Sequence, residues 1–291
     1  MIYSELYQKL GVKNKKISII KSLIEVLVKN EIIVLEGQSI VFLDNSWDVL
    51  QKLWDLFEKT RGVCDYSHMP KLAFVYLFQI LYSGMILKEF VTIYGIFCPG
   101  YEGKSYKKRL GTTTLRKMEN LKHLSKIMKD YEIKHEVICI YADVFLENAI
   151  DEIKIHEEFE FNKTLFLQKS LQYFEKTILL SDFLRKTNIQ QISFIDSVIV
   201  DSFNKQEYER FLDCNMNFYQ SMGWDEKRIK KRNDELITLY GIVADKMHKN
   251  KNSIYACIEN IEGRASLFLN KQIPVFYISK KIQYGGIENA L

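Results

Sequence analysis

The side chains best suited to chemistry crowd into one stretch, "FCPGYEGKSYKKRLGTTTLRKM", Phe97 to Met118. Gly100 and Gly103 allow close backbone approach to a ligand, and Lys104, Lys107, Lys108 and Arg109 can neutralise a phosphate or a carboxylate. Tyr101 stands between the two glycines, and Thr112, Thr113 and Thr114 follow Gly111 where a helix would begin. A threonine hydroxyl there can accept an orphaned amide hydrogen, and a helix start favours negative charge. Gly103-Lys104-Ser105 has the ending of a nucleotide P-loop, but the leading glycine that such a loop needs is Cys98, with Pro99 beside it. ATP or GTP hydrolysis is therefore disfavoured. A looser anion site and a solvated basic turn both stay open.

Carboxylates supply the complementary chemistry. Asp143 closes the apolar run "HEVICIYADVF", while Glu259 and Glu262 follow "IYAC" and precede Gly263-Arg264. An acid at the carboxyl edge of a parallel sheet can act as a general base or hold an amino group or ribose. Each alone could equally cap a helix or pair with Arg264. Together they predict a polar crevice for a small anionic or zwitterionic substrate. Asp143, Glu259 and Glu262 would be its catalytic acids. Gly100, Tyr101, Gly103, Lys104, Lys107, Arg109, Thr112, Thr113 and Arg264 would bind the substrate, with Tyr101, Tyr141 and Tyr255 as candidate walls.

Elements able to position these groups can be read from periodicity. "FVTIYGIFC" is a continuous apolar run ending at Cys98-Pro99-Gly100, as expected of a buried strand before a sharp turn. Leu115, Met118, Leu121, Leu124, Met128 and Tyr131 then form an apolar stripe at helical spacing, with lysines assigned to the opposite side. Strand, crossover helix and the "HEVICIYADVF" strand make a βαβ unit and imply a parallel sheet. Residues 162–186, "NKTLFLQKSLQYFEKTILLSDFLRK", read as helix, and "DEKRIKKRNDELITLYGIVADKMHK" as a long amphipathic one. Its basic start, Lys227 to Arg232, reads as a solvated face, with RNA contact as an alternative. "NSIYACIEN", "RASLFLN" and "IPVFYISKK" return to strand, short helix and strand.

Ahead of this part, "YSELYQKL", "ISIIKSLIEVLVKN" and "EIIVLEGQSIVFLD" read as helix, helix and hairpin, the order of a winged-helix-like module. The expected organisation is such a module over residues 1–65, followed by an α/β Rossmann-like domain over 66–291, its mostly parallel sheet flanked by helices. Lys13, Lys15, Lys16 and Lys21 could face nucleic acid, but the hairpin tip is acidic at Glu36, so packing or capping is the favoured role.

A net charge of +4 favours anionic ligands mildly and falls short of a dedicated nucleic-acid binder. The 5 cysteines are scattered without a Cys-x-x-Cys pair and no export signal opens the chain, so reduced thiols in a cytoplasmic protein are expected. "LAFVYLFQILYSGMIL", Leu72 to Leu87, is shorter than the ~20 apolar residues of a membrane span and contains Gln79, which argues for a buried helix. Histidine spacing predicts no metal site, and the lack of a Gly-x-Gly-x-x-Gly fingerprint predicts no dinucleotide or other cofactor. A homodimer stays open.

The stretch from Phe90 to Phe145 resembles the isocyanide synthases of the pyoverdine/dityrosine biosynthesis group. The likeness rests on "FCPGYEGKSYKKRLG", the helix from Leu115 to Tyr131 and "VICIYADVF", roughly a fifth of the chain. The family's Ser-Asp-Gly is Ala142-Asp143-Val144 here, and its C-terminal basic and histidine-containing segment has no clear match. The resemblance implies a Rossmann-like enzyme that combines an amino acid, typically tyrosine or tryptophan, with ribulose 5-phosphate to give an isonitrile. Lys104 and Arg109 would then face the phosphate, with Asp143 as a crevice acid. The competing class is a ligand-sensing protein that binds DNA through the front module.

Overall fold

All positions of Val91–Phe97 are buried, as a strand with packed layers on both of its faces requires. The elements around it come from a computed structural model, which describes residues 1–12, 16–37, 39–43, 45–66, 69, 71–97, 101–102, 105–106, 112–143, 153–184, 209, 212–213, 216, 220, 223–257 and 265–278. For some of these, among them Tyr101, Thr112 and Thr113, only the backbone is described.

The chain opens with helices α1 (Tyr3–Lys9) and α2 (Ile17–Lys29) and an antiparallel hairpin of β1 (Ile33–Glu36) and β2 (Ser39–Phe42). Gly37, at φ 61°, supplies the left-handed turn residue between the two strands. The Met1 amino group donates to the Ile40 carbonyl at 3.0 Å and Ile2 bridges Ser39, so the chain start flanks β2. Helix α3 (Ser46–Thr60), the short strand β3 (Cys64–Asp65) and helix α4 (Lys71–Met85) follow. The helix–helix–hairpin order is present, and α2 packs along α4. Asn30 donates to Gln79 Oε1 at 3.1 Å, which gives the polar residue in that apolar run a partner. Among the described residues no helix is long and apolar enough to cross a membrane.

From here strands and helices alternate. They are β4 (Val91–Phe97), the small hairpin β5 (Tyr101–Glu102) with β6 (Ser105–Tyr106), α5 (Thr112–Asp130) and β7 (His135–Tyr141), then α6 (Ile153–Ser170), β8 (Lys176–Leu179) and α7 (Leu180–Leu184). The last elements are α8 (Glu226–His248), β9 (Ser253–Cys257), α9 (Ala265–Leu269) and β10 (Val275–Ile278). The main sheet runs β3-β10-β9-β4-β7-β8, parallel throughout except for the antiparallel edge pair of β3 with β10. This is the expected α/β class, a parallel sheet flanked by helices.

Alternation along β4 divides the interior into two layers. Val91, Ile93 and Phe97 join the core formed with α2, α3, α4 and α5, whereas Tyr94 and Ile96 join Leu236, Tyr240, Val243 and Phe268 of α8 and α9. Gly95 sits beneath Leu121 of α5. A Cβ added there would lie 2.6 Å from Leu121 Cδ2, so glycine is what lets helix and sheet meet at this depth.

Residues 162–186 do not form the single helix expected. Helix α6 stops at Ser170, whose hydroxyl donates to the Leu167 carbonyl at 3.0 Å, and Lys176–Leu179 instead extends the sheet beside β7. Sheet pairing to Ile138–Tyr141 overrides a local pattern compatible with either state.

Candidate functional site

Numbered along the chain, the five parallel strands take the spatial order 3-2-1-4-5: β8, β7, β4, β9, β10. Connections from β4 run one way across the sheet as far as β8, and the return brings β9 to the opposite side of β4. Where the winding reverses, the helices on either side diverge and leave a crevice beyond the carboxyl ends of the strands. Here the reversal lies between β4 and β9, whose register closes with Ile96 opposite Cys257. The chain leaving β4 leads into Gly100–Arg109, and the chain leaving β9 leads into Glu259–Arg264. Gly100, Gly103, Lys104, Lys107, Lys108, Arg109, Glu259, Glu262 and Arg264 themselves lie outside the described residues.

Part of the first connection has a shape the sequence reading did not anticipate. Tyr101 pairs with Tyr106 and Glu102 with Ser105, and this hairpin lies against α6. A P-loop passes directly from strand to helix around phosphate, whereas here residues 98–111 intervene and include two short strands. Thr112, Thr113 and Thr114 form the first turn of α5 rather than preceding it, because the helix begins at Thr112.

Asp143 is the expected site residue whose side chain can be followed. It lies two residues beyond the end of β7 and is buried, and both carboxylate oxygens are held by Ser181 at the start of α7. The Ser181 N–H donates to Oδ1 at 2.9 Å and its hydroxyl donates to Oδ2 at 2.5 Å. The carboxylate thus ties the carboxyl end of β7 to the segment leaving β8. It keeps lone-pair sites for a further donor, but the two bonds hold it as an acceptor in a fixed position.

Two expected wall residues belong to the core. Tyr141 is fully buried, donates to Asn162 Oδ1 at 3.1 Å and packs on Phe166, while Tyr255 stacks on Phe268 with ring centroids 4.2 Å apart. Beside them, burial drives the thiol of Cys139 far above its ordinary value, so it is no nucleophile at neutral pH.

The structure also contains polar residues that the sequence reading passed over. Lys117 is only 5% exposed and Asn120 only 1%. Lys117, Leu121 and Leu124 fall at i, i+4 and i+7, so this lysine stands on the sheet-facing stripe of α5 and not with the other lysines outside it. The available signal was that same spacing, in which lysine takes the place of an apolar residue. Among the described residues no cluster of three His, Cys, Asp or Glu side chains could hold a metal ion.

In the front segment, α2 buries Ile20, Leu23, Ile24 and Leu27 and leaves Ser18, Lys21, Glu25 and Lys29 exposed. Lys16 is engaged within the chain, 2.5 Å from Glu58 and over the Trp54 ring. Lys13 and Lys15 lie outside the described residues. At the start of α8, Lys227, Arg228, Lys230 and Lys231 are exposed around buried Ile229, as a solvated face would have them.

The sheet order and its reversal define a doubly wound, Rossmann-like α/β protein. Its fold is similar to that of the PvcA protein from Pseudomonas aeruginosa, known from its crystal structure, with a TM-score of 0.51 over 79% of this chain and 83% of that one. Sequence identity across the match is 10%, so the likeness is one of fold alone. No protein-family model matches the sequence, and no curated protein does.

Proposed function

We propose that the chain is a small-molecule biosynthetic enzyme related to the isocyanide synthases, joining an amino acid to a phosphorylated sugar to form an isonitrile. The observation that carries this reading is the reversal of strand order between β4 and β9. The chain leaving these adjacent strand ends leads into the basic stretch 100–109 and the acid-bearing stretch 259–264, and α/β proteins of this winding bind their ligands beyond such strand ends. Two further lines support it. The Phe90–Phe145 stretch resembles that family in sequence, and the fold is similar to that of PvcA, which supports an α/β protein of this winding.

In this reading Lys104, Lys107 and Arg109 bind the phosphate, helped by Gly100, Tyr101, Gly103, Thr112, Thr113 and the dipole of α5. Glu259, Glu262 and Arg264 face the amino acid's ammonium and carboxylate, and the two glutamates supply the general base. Asp143, braced by Ser181, positions the next strand end and accepts a hydrogen bond from substrate. The DNA-binding alternative gains little from the front helices, since α2 spends its apolar face on α4 and exposes only two lysines beside a glutamate.

The test incubates the purified chain with ribulose 5-phosphate and each aromatic amino acid, and looks for the isonitrile by mass and by its infrared stretch. Product that disappears in Lys104→Ala is the expected result. Absence of product with every amino acid, together with a salt-dependent shift of duplex DNA, would overturn the reading in favour of its rival.

A further inference from the structure

We propose that Lys117 is a substrate-binding residue, the cation that receives an anionic group of the substrate beneath the β4–β9 reversal. The inference rests on the functional reading above and adds to it a residue to which neither the basic loop nor the family resemblance assigned a role.

Position carries the argument. Leu121 touches the sheet at Gly95, two residues before the end of β4. Those two residues carry the strand about 6.6 Å further toward its carboxyl end. Because a crossover helix runs opposite to its strands, one turn back from Leu121 toward the start of α5 covers about 6 Å in the same direction. An antiparallel crossing at Gly95 therefore brings Lys117 to about the level of the carboxyl ends of the strands. Helical side chains lean toward the helix start, a direction that for Lys117 is the one in which the strands end. Asn120, three residues on and equally enclosed, keeps that flank of the helix polar.

Chemistry agrees with position. A lysine so deeply enclosed loses most of its hydration, and an apolar residue would suit the stripe of Leu121, Leu124 and Met128 better. A stripe optimised for packing alone would not place an ammonium there. Lys117 already has a polar or electrostatic neighbour in the structure. With three donors on its ammonium, it can keep that neighbour and still bind an anion. Two sources could supply the anion: the phosphate of the sugar or the carboxylate of the amino acid.

Calorimetric titration of wild type, Lys117→Met and Lys117→Arg with ribulose 5-phosphate, and separately with tyrosine, decides the matter. The Met variant is expected to bind one of the two about ten- to a hundredfold more weakly, as loss of a charge-assisted hydrogen bond implies, and to leave the other unchanged. Arg should recover part of the loss, and the ligand affected identifies the anion. A lower melting temperature in the Met variant with both affinities unchanged would mark the lysine as serving its neighbour in the fold alone. Equal affinity in wild type and Met variant would overturn the inference alone. Failure of wild type to bind either ligand would overturn the functional reading, and the inference with it. If the Met variant does not fold, the lysine ammonium signal missing from the Arg variant is followed by 15N NMR in wild type. Its movement on adding ligand supports the assignment, and its indifference refutes it.

Discussion

Ser181 offers Asp143 both its backbone N–H and its hydroxyl, so two bonds from one residue fasten neighbouring strand ends. Ser181→Ala removes the hydroxyl bond and keeps the other. We expect it to cost about 1.5–3 kcal/mol in urea unfolding, the range for hydrogen bonds to a charged group, and Asp143→Ala to cost more. A second residue-scale prediction concerns Cys64, whose thiol is pushed up to about 12, chiefly by burial. Free in the unfolded chain it ionises near 9.0. The folded form therefore holds a proton that the unfolded form releases, and its stabilising contribution is complete below pH 9.0 and lost as pH climbs from there toward about 12. Native protein should resist thiol reagents at Cys64 and Cys139, and above pH 9.0 wild type should lose stability more steeply than Cys64→Ala. At this scale the sequence was an incomplete guide. The acid at the end of β7 could be recognised because an apolar run stops there. Lys117 was hidden because the other lysines of α5, Lys122, Lys126 and Lys129, are exposed, although its spacing from Leu121 and Leu124 placed it on the apolar stripe.

Helix α5 and strand β4 are held together through a missing side chain. Gly95→Ala would bring a methyl to 2.6 Å from Leu121 Cδ2, and such overpacking costs about 1–3 kcal/mol. Leu121→Ala relieves the clash, so the two substitutions should be non-additive by about 0.5–3 kcal/mol in a double-mutant cycle on unfolding midpoints. If the costs simply add, helix and strand do not meet at this point. The β4–α5–β7 unit was legible in advance because a strand buried on both faces must be apolar throughout and its crossover helix must carry a stripe. The β5–β6 hairpin was not, since two-residue strands leave no periodicity to read. Strand β8 was masked by flanking residues that suit a helix equally well, and pairing with β7 decided its state.

Across the whole molecule one apolar interior runs from Leu6 of α1 through α2, α3 and α4 to one face of the sheet, reaching Ile278 in β10. Strand β3, at Cys64–Asp65, lies ahead of the expected division at residues 65 and 66 yet pairs with β10. A fragment comprising residues 66–291 would uncover Phe74, Leu77, Phe78 and Leu81 and remove that edge strand. We expect it to be recovered aggregated or as an expanded state without a cooperative melt, by sedimentation and circular dichroism; a sharp melt would establish a separable unit. Overall class could be read from the alternation of strands and helices. The order of strands could not, because local sequence does not state on which side of β4 a later strand will settle.

That order also has a consequence on the ribosome. Strand β4 ends at Phe97, but the partner for one of its edges, Ser253–Cys257, is translated only after the whole of α8. At about 5–20 residues per second, roughly 8–30 s pass in which the nascent chain presents an unpaired apolar edge. An unpaired strand edge of this kind is prone to join neighbouring chains, so slower synthesis should lower the soluble yield.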